Sequence, residues 1–272
     1  MKRPLVFWIL TIVITLSSAV YQRLTGPTRP VRGSVEVGQI DVRYKLLRTH
    51  NSTDDAIMSI TVADPGISGE LQFRRYKSHD NWSAVPLGRD GDDLVVVIPQ
   101  QPPAGKVVYQ VSLIDGDGTR YPLTDEPVII RFKGPVPLYV LMLHVAFMFS
   151  AILLSTRTGL EAVAGGKRCY SFTFATVVLL FIGGLILGPI VQKYAFGAYW
   201  TGWPFGHDLT DTKTAFAMLF WVVALWRSRS VGKGRVWIVI AAVVTLAIYI
   251  IPHSAFGSEL DYTKIDQVKS AV

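Results

Sequence analysis

Three histidines are the residues of this chain best suited to bind a metal ion or a haem: His144, His207 and His253. Histidine nitrogens ligate zinc, copper and haem iron, and neighbouring carboxylates orient such ligands through hydrogen bonds. The residue types therefore suggest a cofactor site for haem b or a divalent metal. The spacings H-x-x-x-H and H-E-x-x-H, which place two ligands on one helix face, do not occur.

Charged residues follow two of these histidines. They are Asp208, Asp211 and Lys213 after His207, and Glu259 and Asp261 after His253. Asp208 suits the N-cap of a helix, and Asp211 would lie in its first turn. Asp211 and Lys213 are two positions apart and do not share a helix face, so each needs another partner. We expect these residues to support the histidine ligands or to form a structural polar network.

Aromatic residues are dense just before His207, namely Tyr199, Trp200, Trp203 and Phe205. Tryptophan and tyrosine are enriched where a membrane protein meets the lipid headgroups. We interpret these side chains as interfacial aromatics.

Part of this region resembles the tryptophan-rich external motif of cytochrome c assembly proteins that handle haem. The matching residues are Trp200-Thr201-Gly202-Trp203, Asp208, Asp211-Thr212-Lys213-Thr214 and Phe220-Trp221. In that family the loop leads into an Asp-Pro-Lys-Glu-Thr helix start, whereas this chain lacks the proline and the glutamate, has another Trp-to-Asp spacing and has fewer apolar blocks. The resemblance implies a haem-related role and no transfer of individual residues.

Uninterrupted apolar blocks indicate membrane-spanning helices at 4–22, 136–155, 172–191, 215–226 and 236–251. A helix needs about 20 apolar residues to cross the hydrocarbon core, so the fourth block must begin near Asp208. The prediction is a membrane α-helical bundle of four to five transmembrane helices. The block 1–22 also resembles a signal peptide, but we favour an uncleaved anchor.

Charge predicts the orientation of these helices. Segment 22–135 holds 14 Lys and Arg against 14 Asp and Glu, so the excess in the net charge of +7 lies elsewhere. Basic residues concentrate in the short stretches 1–4, 156–170 and 227–235. The positive-inside rule places these stretches in the cytoplasm, and hence segment 22–135, the loop 192–211 and the C-terminus outside the cytoplasmic (inner) membrane. The same distribution gives no support to a nucleic-acid partner.

Segment 33–134 has the pattern of an all-β domain. Alternating or β-branched runs occur at Ser34–Leu47, Ala56–Val62, Glu70–Tyr76, Asp93–Ile98, Lys106–Ile114 and Pro127–Phe132. Their length and spacing predict an inserted extracytoplasmic immunoglobulin-like or fibronectin-III-like sandwich, with Tyr109 as its corner tyrosine. Segment 136–272 then forms the transmembrane domain, with an external loop at 193–213 and an external C-terminal tail. Cys169 is the only cysteine, so no disulfide holds the sandwich.

Three functions fit this organisation. The first is a membrane accessory or assembly protein that contacts the lipid bilayer and another membrane or periplasmic protein. The second is a redox or metal/haem-binding subunit with His144, His207 and His253 as ligands. The third is a small-molecule or lipid-binding transport component. No Ser-His-Asp or Cys-His arrangement stands out, so an enzyme is not favoured.

Overall fold

The computed structural model describes residues 3–229, 234–252 and 257–270. The chain divides into two compact units. The helical unit comprises Met1–Pro27, Val136–Tyr194 and Ala198–Ser258, and the β unit comprises Thr28–Pro135, Ala195–Gly197 and Glu259–Val272.

The strands of the β unit are β1 (Val31–Val37), β2 (Ile40–Leu46), β3 (Thr49–Asn51), β4 (Ala56–Thr61), β5 (Ser68–Arg75), β6 (Ser83–Pro86), β7 (Gly88–Asp90), β8 (Asp93–Ile98), β9 (Lys106–Ile114), β10 (Arg120–Pro122) and β11 (Val128–Lys133). They form three sheets. One is the hairpin β1-β2, the second has the order β3-β11-β9-β5-β6 with β10 also on β9, and the third has the order β4-β8-β7. The pairings are antiparallel except β11 with β3.

Residues from all three sheets share one apolar core. Val42, Ile60 and Val111 represent the three sheets in it, and each is almost fully buried. The alternation seen in the sequence explains this core, because successive side chains of a strand point to opposite faces. In β4, for example, every second residue from Ala56 is buried and the others are exposed. Each fully buried Ile, Leu or Val contributes about 1.5–3 kcal/mol of transfer free energy.

The predicted run Ser34–Leu47 is two strands. β1 and β2 pair from Val37 opposite Ile40, so only two residues form the turn. Gly38 takes a φ of 62° there, and tight hairpin turns require such a left-handed residue. The glycine therefore splits what the sequence analysis treated as one strand.

Tyr109 differs from the predicted corner tyrosine. It lies within β9, and its buried hydroxyl donates to the carbonyl oxygen of Leu47 at 2.7 Å. A corner tyrosine would bond to backbone a few residues upstream in its own connection. Tyr109 instead bonds to the chain that follows β2.

The C-terminal segment belongs to the β unit, whereas the sequence analysis placed it with the transmembrane domain. Its helix α7 spans Tyr262–Ser270. Glu259 pairs with Lys77 and Lys106, and Arg75 Nη2 donates to Asp266 at 2.6 Å. These ion pairs join residues far apart in sequence, so no local pattern could reveal them.

The helical unit contains α1 (Arg3–Thr25), α2 (Leu138–Val163), α3 (Cys169–Leu180), a π-helical segment (Phe181–Leu187), α4 (Gly188–Phe196), α5 (Leu209–Ser228) and α6 (Gly234–Ile250). Three of its described helices are long and apolar enough to cross a membrane, namely Pro4–Thr25, Leu138–Val163 and Cys169–Phe196. α6 is apolar but shorter. α5 has 20 residues and carries Asp211 and Lys213 in its first turns.

α2 extends further than predicted. Residues 156–163 were expected in a loop, but the helix continues to Val163. Arg157 Nη1 lies 2.7 Å from Glu161 Oε2, a pair spaced four residues apart that supports a helix. Gly165 follows with a φ of 73°, a conformation that commonly ends a helix.

The helices pack closely at small residues. A Cβ on Gly183 would lie 2.9 Å from Met148 Sδ, and one on Gly184 would lie 2.6 Å from Thr214 Cγ2. Close approach of this kind is how membrane helices gain packing energy. Trp221 is fully buried in this core, and its indole nitrogen donates to Thr245 Oγ1 at 2.8 Å.

Candidate functional site

The loop between α4 and α5 carries the polar and aromatic residues that the sequence singled out. We call residues 199–207 the aromatic loop. Asp208 and Asp211, at the start of α5, are 6% and 7% exposed. Buried carboxylates require hydrogen bonds, so their partners determine what this region can do.

Asp208 caps α5 and also holds a second segment of the chain. One carboxylate oxygen accepts from the backbone N–H of Thr210 at 2.7 Å, which is an N-cap bond. The other accepts from the backbone N–H and the hydroxyl of Ser258, both at 2.8 Å. Asp208 therefore connects the start of α5 to the segment after α6.

Asp211 holds the aromatic loop by its backbone. Its Oδ2 accepts from the N–H of Thr201 at 2.7 Å and from that of Gly202 at 3.0 Å. A Cβ on Gly202 would lie only 2.5 Å from Asp211 Cβ, so only glycine permits this approach. Two successive backbone donors thereby converge on one carboxylate.

Three neutral side chains complete the cluster. Gln192 of α4 donates from Nε2 to Thr201 Oγ1 at 2.6 Å, and Thr201 Oγ1 lies 2.7 Å from Ser258 Oγ. We call Gln192, Thr201, Asp208, Asp211 and Ser258 the aspartate network. Gln192, Thr201 and Ser258 were not predicted as members of the polar network, because uncharged polar residues carry no signal for such a role until tertiary structure brings them together.

Lys213 and Asp211 take separate partners, as their spacing requires. Lys213 is 4% exposed and donates from Nζ to the carbonyl oxygen of Ile251 at 2.9 Å. Ile251 follows the last residue of α6, where free carbonyl oxygens and the helix dipole favour a cation. Lys213 thus joins the start of α5 to the end of α6.

The aromatic side chains of the loop project away from the network. Tyr199, Trp203 and Phe205 are 60%, 71% and 85% exposed, respectively. Trp200 is half-buried, and its indole nitrogen donates to the carbonyl oxygen of Trp203 at 3.2 Å. The loop is therefore held at its backbone, while three large aromatic side chains remain open.

The described residues do not bring the histidines into a metal site. His207 is exposed on the loop, whereas His144 lies in α2 with Nδ1 2.9 Å from the carbonyl oxygen of Gly183. His253 lies outside the described residues. Within residues 3–229, 234–252 and 257–270, no three His, Cys, Asp or Glu side chains are placed to hold a metal ion.

Glu259 and Asp261, grouped with Asp208 and Asp211 in the sequence, belong to the β unit, where Glu259 pairs with Lys77 and Lys106. Asp261 accepts from the backbone N–H of Thr263 at 3.1 Å at the start of α7. Burial raises the pKa of Glu259, but hydrogen bonds from Lys106 and Lys77 outweigh it, so the net pKa is below its usual value. The carboxylates of both residues therefore bond within the β unit and hold the C-terminal segment in place.

A second charged site that the sequence analysis placed in a loop is buried in the helical unit. Arg157 is 3% exposed, and its guanidinium carbon lies 5.2–5.5 Å from the ring centres of Phe7, Trp8 and Phe172. Stacking of a guanidinium on aromatic rings is favourable in a desolvated position. Arg157 thus connects α1, α2 and α3.

Comparisons with known proteins add no assignment. No protein-family model matches the chain, and no curated protein matches it. A beta-1,2-glucanase from Parabacteroides distasonis is a distant structural neighbour, with 9% sequence identity and a TM-score of 0.22. The likeness covers 80% of this chain and 34% of that one, so the chain spans about a third of that structure. It carries no argument about fold or activity.

Proposed function

We propose that this chain is a non-enzymatic accessory or assembly protein of the cytoplasmic membrane. Its β unit forms an extracytoplasmic binding module, and its aromatic loop docks a partner membrane protein. The proposal rests mainly on how the loop is held. The buried carboxylates accept hydrogen bonds from the chain's own backbone, while the side chains of Tyr199, Trp203 and Phe205 stay exposed. A rigid backbone that presents aromatic side chains is suited to protein recognition, because little entropy is lost on binding.

The sheet order supports an immunoglobulin-like or fibronectin-III-like module. β11-β9-β5-β6 corresponds to the order G-F-C-C′ of such a sandwich, and β4-β8-β7 corresponds to B-E-D. Residues of both sheets contribute to the same core. Sandwiches of this kind commonly act as binding modules, although the fold alone does not define a ligand.

The placement in the membrane rests on apolar length and charge. Three helices are long enough to span, and we propose that α5 and α6 span as well. α1 packs against α2 and α6, and Gln22 Nε2 donates to the carbonyl oxygen of Tyr249 at 2.8 Å. These contacts support a retained anchor over a cleaved signal. The basic stretches would be cytoplasmic, which puts the β unit, the aromatic loop and the C-terminus outside.

A photo-crosslinking residue introduced at Phe205 tests the docking role in whole cells. We expect one discrete adduct between this chain and a second membrane or exported protein. The same residue at Trp226 is the matched control, because Trp226 is 66% exposed at the opposite end of α5. Trp203→Ser should remove most of the Phe205 adduct, since aromatic anchors commonly contribute about 2 kcal/mol or more to an interface.

Adducts with lipid alone at position 205 would refute the docking role and leave the loop as an interfacial belt. Equal protein adducts at positions 205 and 226 would refute it as well, because random encounter in the membrane labels both ends.

A further inference from the structure

A cavity of about 290 Å³ lies within the helical unit among α1, α2, α4 and α6. Its polar lining residues are Thr15, Ser18, Gln22, His144 and Tyr249. The apolar part includes Phe149, which is 43% exposed on α2. The volume is close to the lower end of the range of small-molecule sites, about 300–1,000 Å³. The cavity belongs to helices that are apolar enough to lie in a membrane, so its surroundings would be hydrocarbon.

Thr15 supplies a polar group without a protein partner. The side chain is 3% exposed, and its hydroxyl makes no hydrogen bond to any residue that the structure describes. In a helix, a threonine hydroxyl commonly bonds to the carbonyl oxygen four residues earlier. Thr15 does not do so, although Thr158 and Thr176 of the same unit do. Thr15 also lines the cavity, so this buried hydroxyl is an unpaired polar group at the cavity wall.

His144 supplies an acceptor on another wall of the cavity. The carbonyl oxygen of Gly183 accepts a hydrogen bond from the backbone N–H of Gly188, five residues later. A bond of this spacing is typical of a π-helix. The same oxygen lies 2.9 Å from His144 Nδ1. A carbonyl only accepts, so Nδ1 carries the proton, and Nε2 of the neutral ring is an acceptor. π-helical turns occur frequently at functional sites, because they reposition groups of this kind.

We propose that this cavity binds the head of a membrane lipid that carries a free hydroxyl group. A hydroxyl can donate to His144 Nε2 and accept from Thr15, whereas a quinone carbonyl or an ester can only accept. The lipid tail would lie along the apolar residues of α2. The inference is independent of the aromatic loop, because none of the loop residues lines the cavity.

The test uses the full chain in lipid nanodiscs with photoactivatable lipids. The first probe is a diacylglycerol with a diazirine in one acyl chain, and its control is the same probe with the hydroxyl capped as a methyl ether. A farnesol analogue with a diazirine, controlled by its own methyl ether, distinguishes an isoprenoid alcohol from a glycerolipid. Labelled peptides are mapped by mass spectrometry. We expect one of the two alcohols to label α1 or α2 several-fold more than its own methyl ether does.

Substitutions tie the labelling to the two polar groups. Thr15→Val and His144→Phe should each reduce the labelling up to about tenfold, the effect of one lost hydrogen bond. Thr15→Ser keeps the hydroxyl and should retain the labelling. Thr173→Val is the matched control, because Thr173 is a buried threonine of α3 whose hydroxyl also lacks a described partner, away from the cavity.

Equal labelling by the alcohols and their methyl ethers would overturn the proposal, since it would mean non-selective lipid contact. Loss of labelling in Thr173→Val or Thr15→Ser to the same extent as in Thr15→Val would also overturn it. Neither result affects the Phe205 crosslink, so this inference and the docking role can fail separately.

Discussion

Asp208 and Asp211 show how far residue types can predict a site. Asp208 was predicted to be a helix N-cap, and the structure has that bond. Asp211 and Lys213 were predicted to need separate partners, and these are the backbone of the aromatic loop for Asp211 and the end of α6 for Lys213. The identity of those partners was not predictable, because it depends on which segments meet after folding. His144 likewise bonds the carbonyl oxygen of Gly183, which lies in the π-helical segment.

Replacement of Asp208 with alanine tests its role at two segments. We expect the free energy of unfolding of the helical unit to fall by about 2–4 kcal/mol, because the N-cap bond is lost and the buried Ser258 donors lose their acceptor. Thermal unfolding in detergent, followed by tryptophan fluorescence, measures the change. Asp125→Asn, at an exposed position, is the control. A loss no larger than that of the control would show that the aspartate network does not stabilise the unit.

Helices and strands were predicted correctly where consecutive residues show a clear hydrophobic pattern. The runs at Ala56–Val62, Asp93–Ile98 and Lys106–Ile114 correspond closely to β4, β8 and β9, because alternation is directly visible in sequence. The strands β3, β6, β7 and β10 have only three or four residues, too few for a period to be seen. The end of α2 was missed because its charged residues were taken for a cytoplasmic loop. Burial of Arg157 among three aromatic rings was visible only in the folded unit.

The pair Arg157–Glu161 provides a prediction about how α1, α2 and α3 are held together. Arg157→Met or Glu161→Leu alone should destabilise the helical unit by about 3–5 kcal/mol, because each leaves a buried charge without its partner. The double variant should recover most of this loss, since apolar side chains tolerate the site. Thermal unfolding of the three variants measures the coupling. Additive losses in the double variant would contradict the account.

Attachment of the C-terminal segment to the β unit should depend on pH. Glu259 has a lowered pKa in the folded state, so its contribution is present above the usual glutamate value of about 4.3 and is lost as the pH falls through the folded pKa. The hydrogen bond from Arg75 lowers the pKa of Asp80, and that acid titrates in the same region. The difference in hydrogen-exchange protection between the native chain and the Glu259→Gln variant therefore isolates the contribution of Glu259.

Hydrogen exchange of residues 260–266 is the appropriate measurement. At pH 7, Glu259→Gln should reduce protection by about 1 kcal/mol, because the ion pairs are partly exposed. The difference should shrink as the pH falls below about 4.3, and the native chain and the variant should converge once the pH is below the lowered pKa of folded Glu259. Glu126→Gln, an exposed glutamate of the same unit, is the control. A constant difference between the native chain and Glu259→Gln down to pH 2 would contradict the role of Glu259.

At the scale of the whole molecule, the sequence already separates the apolar blocks from the neutral segment 22–135. Among the residues that the structure describes, three helices are long and apolar enough to span a membrane, in addition to a β unit. Orientation remains a proposal that rests on the basic stretches, and the docking role of the aromatic loop depends on it. Partner identity could not be predicted at all, because exposed aromatic residues define a surface and not its occupant.

Cysteine labelling with a membrane-impermeant maleimide tests this orientation directly in intact cells. In a Cys169→Ser background, His207→Cys, Asp125→Cys and Arg229→Cys report on the aromatic loop, the β unit and the basic turn after α5. We predict that cysteines 207 and 125 are labelled from outside and that cysteine 229 is labelled only after permeabilisation. Labelling of 207 and 229 from the same side would contradict the proposed topology and remove the basis for an extracytoplasmic docking surface.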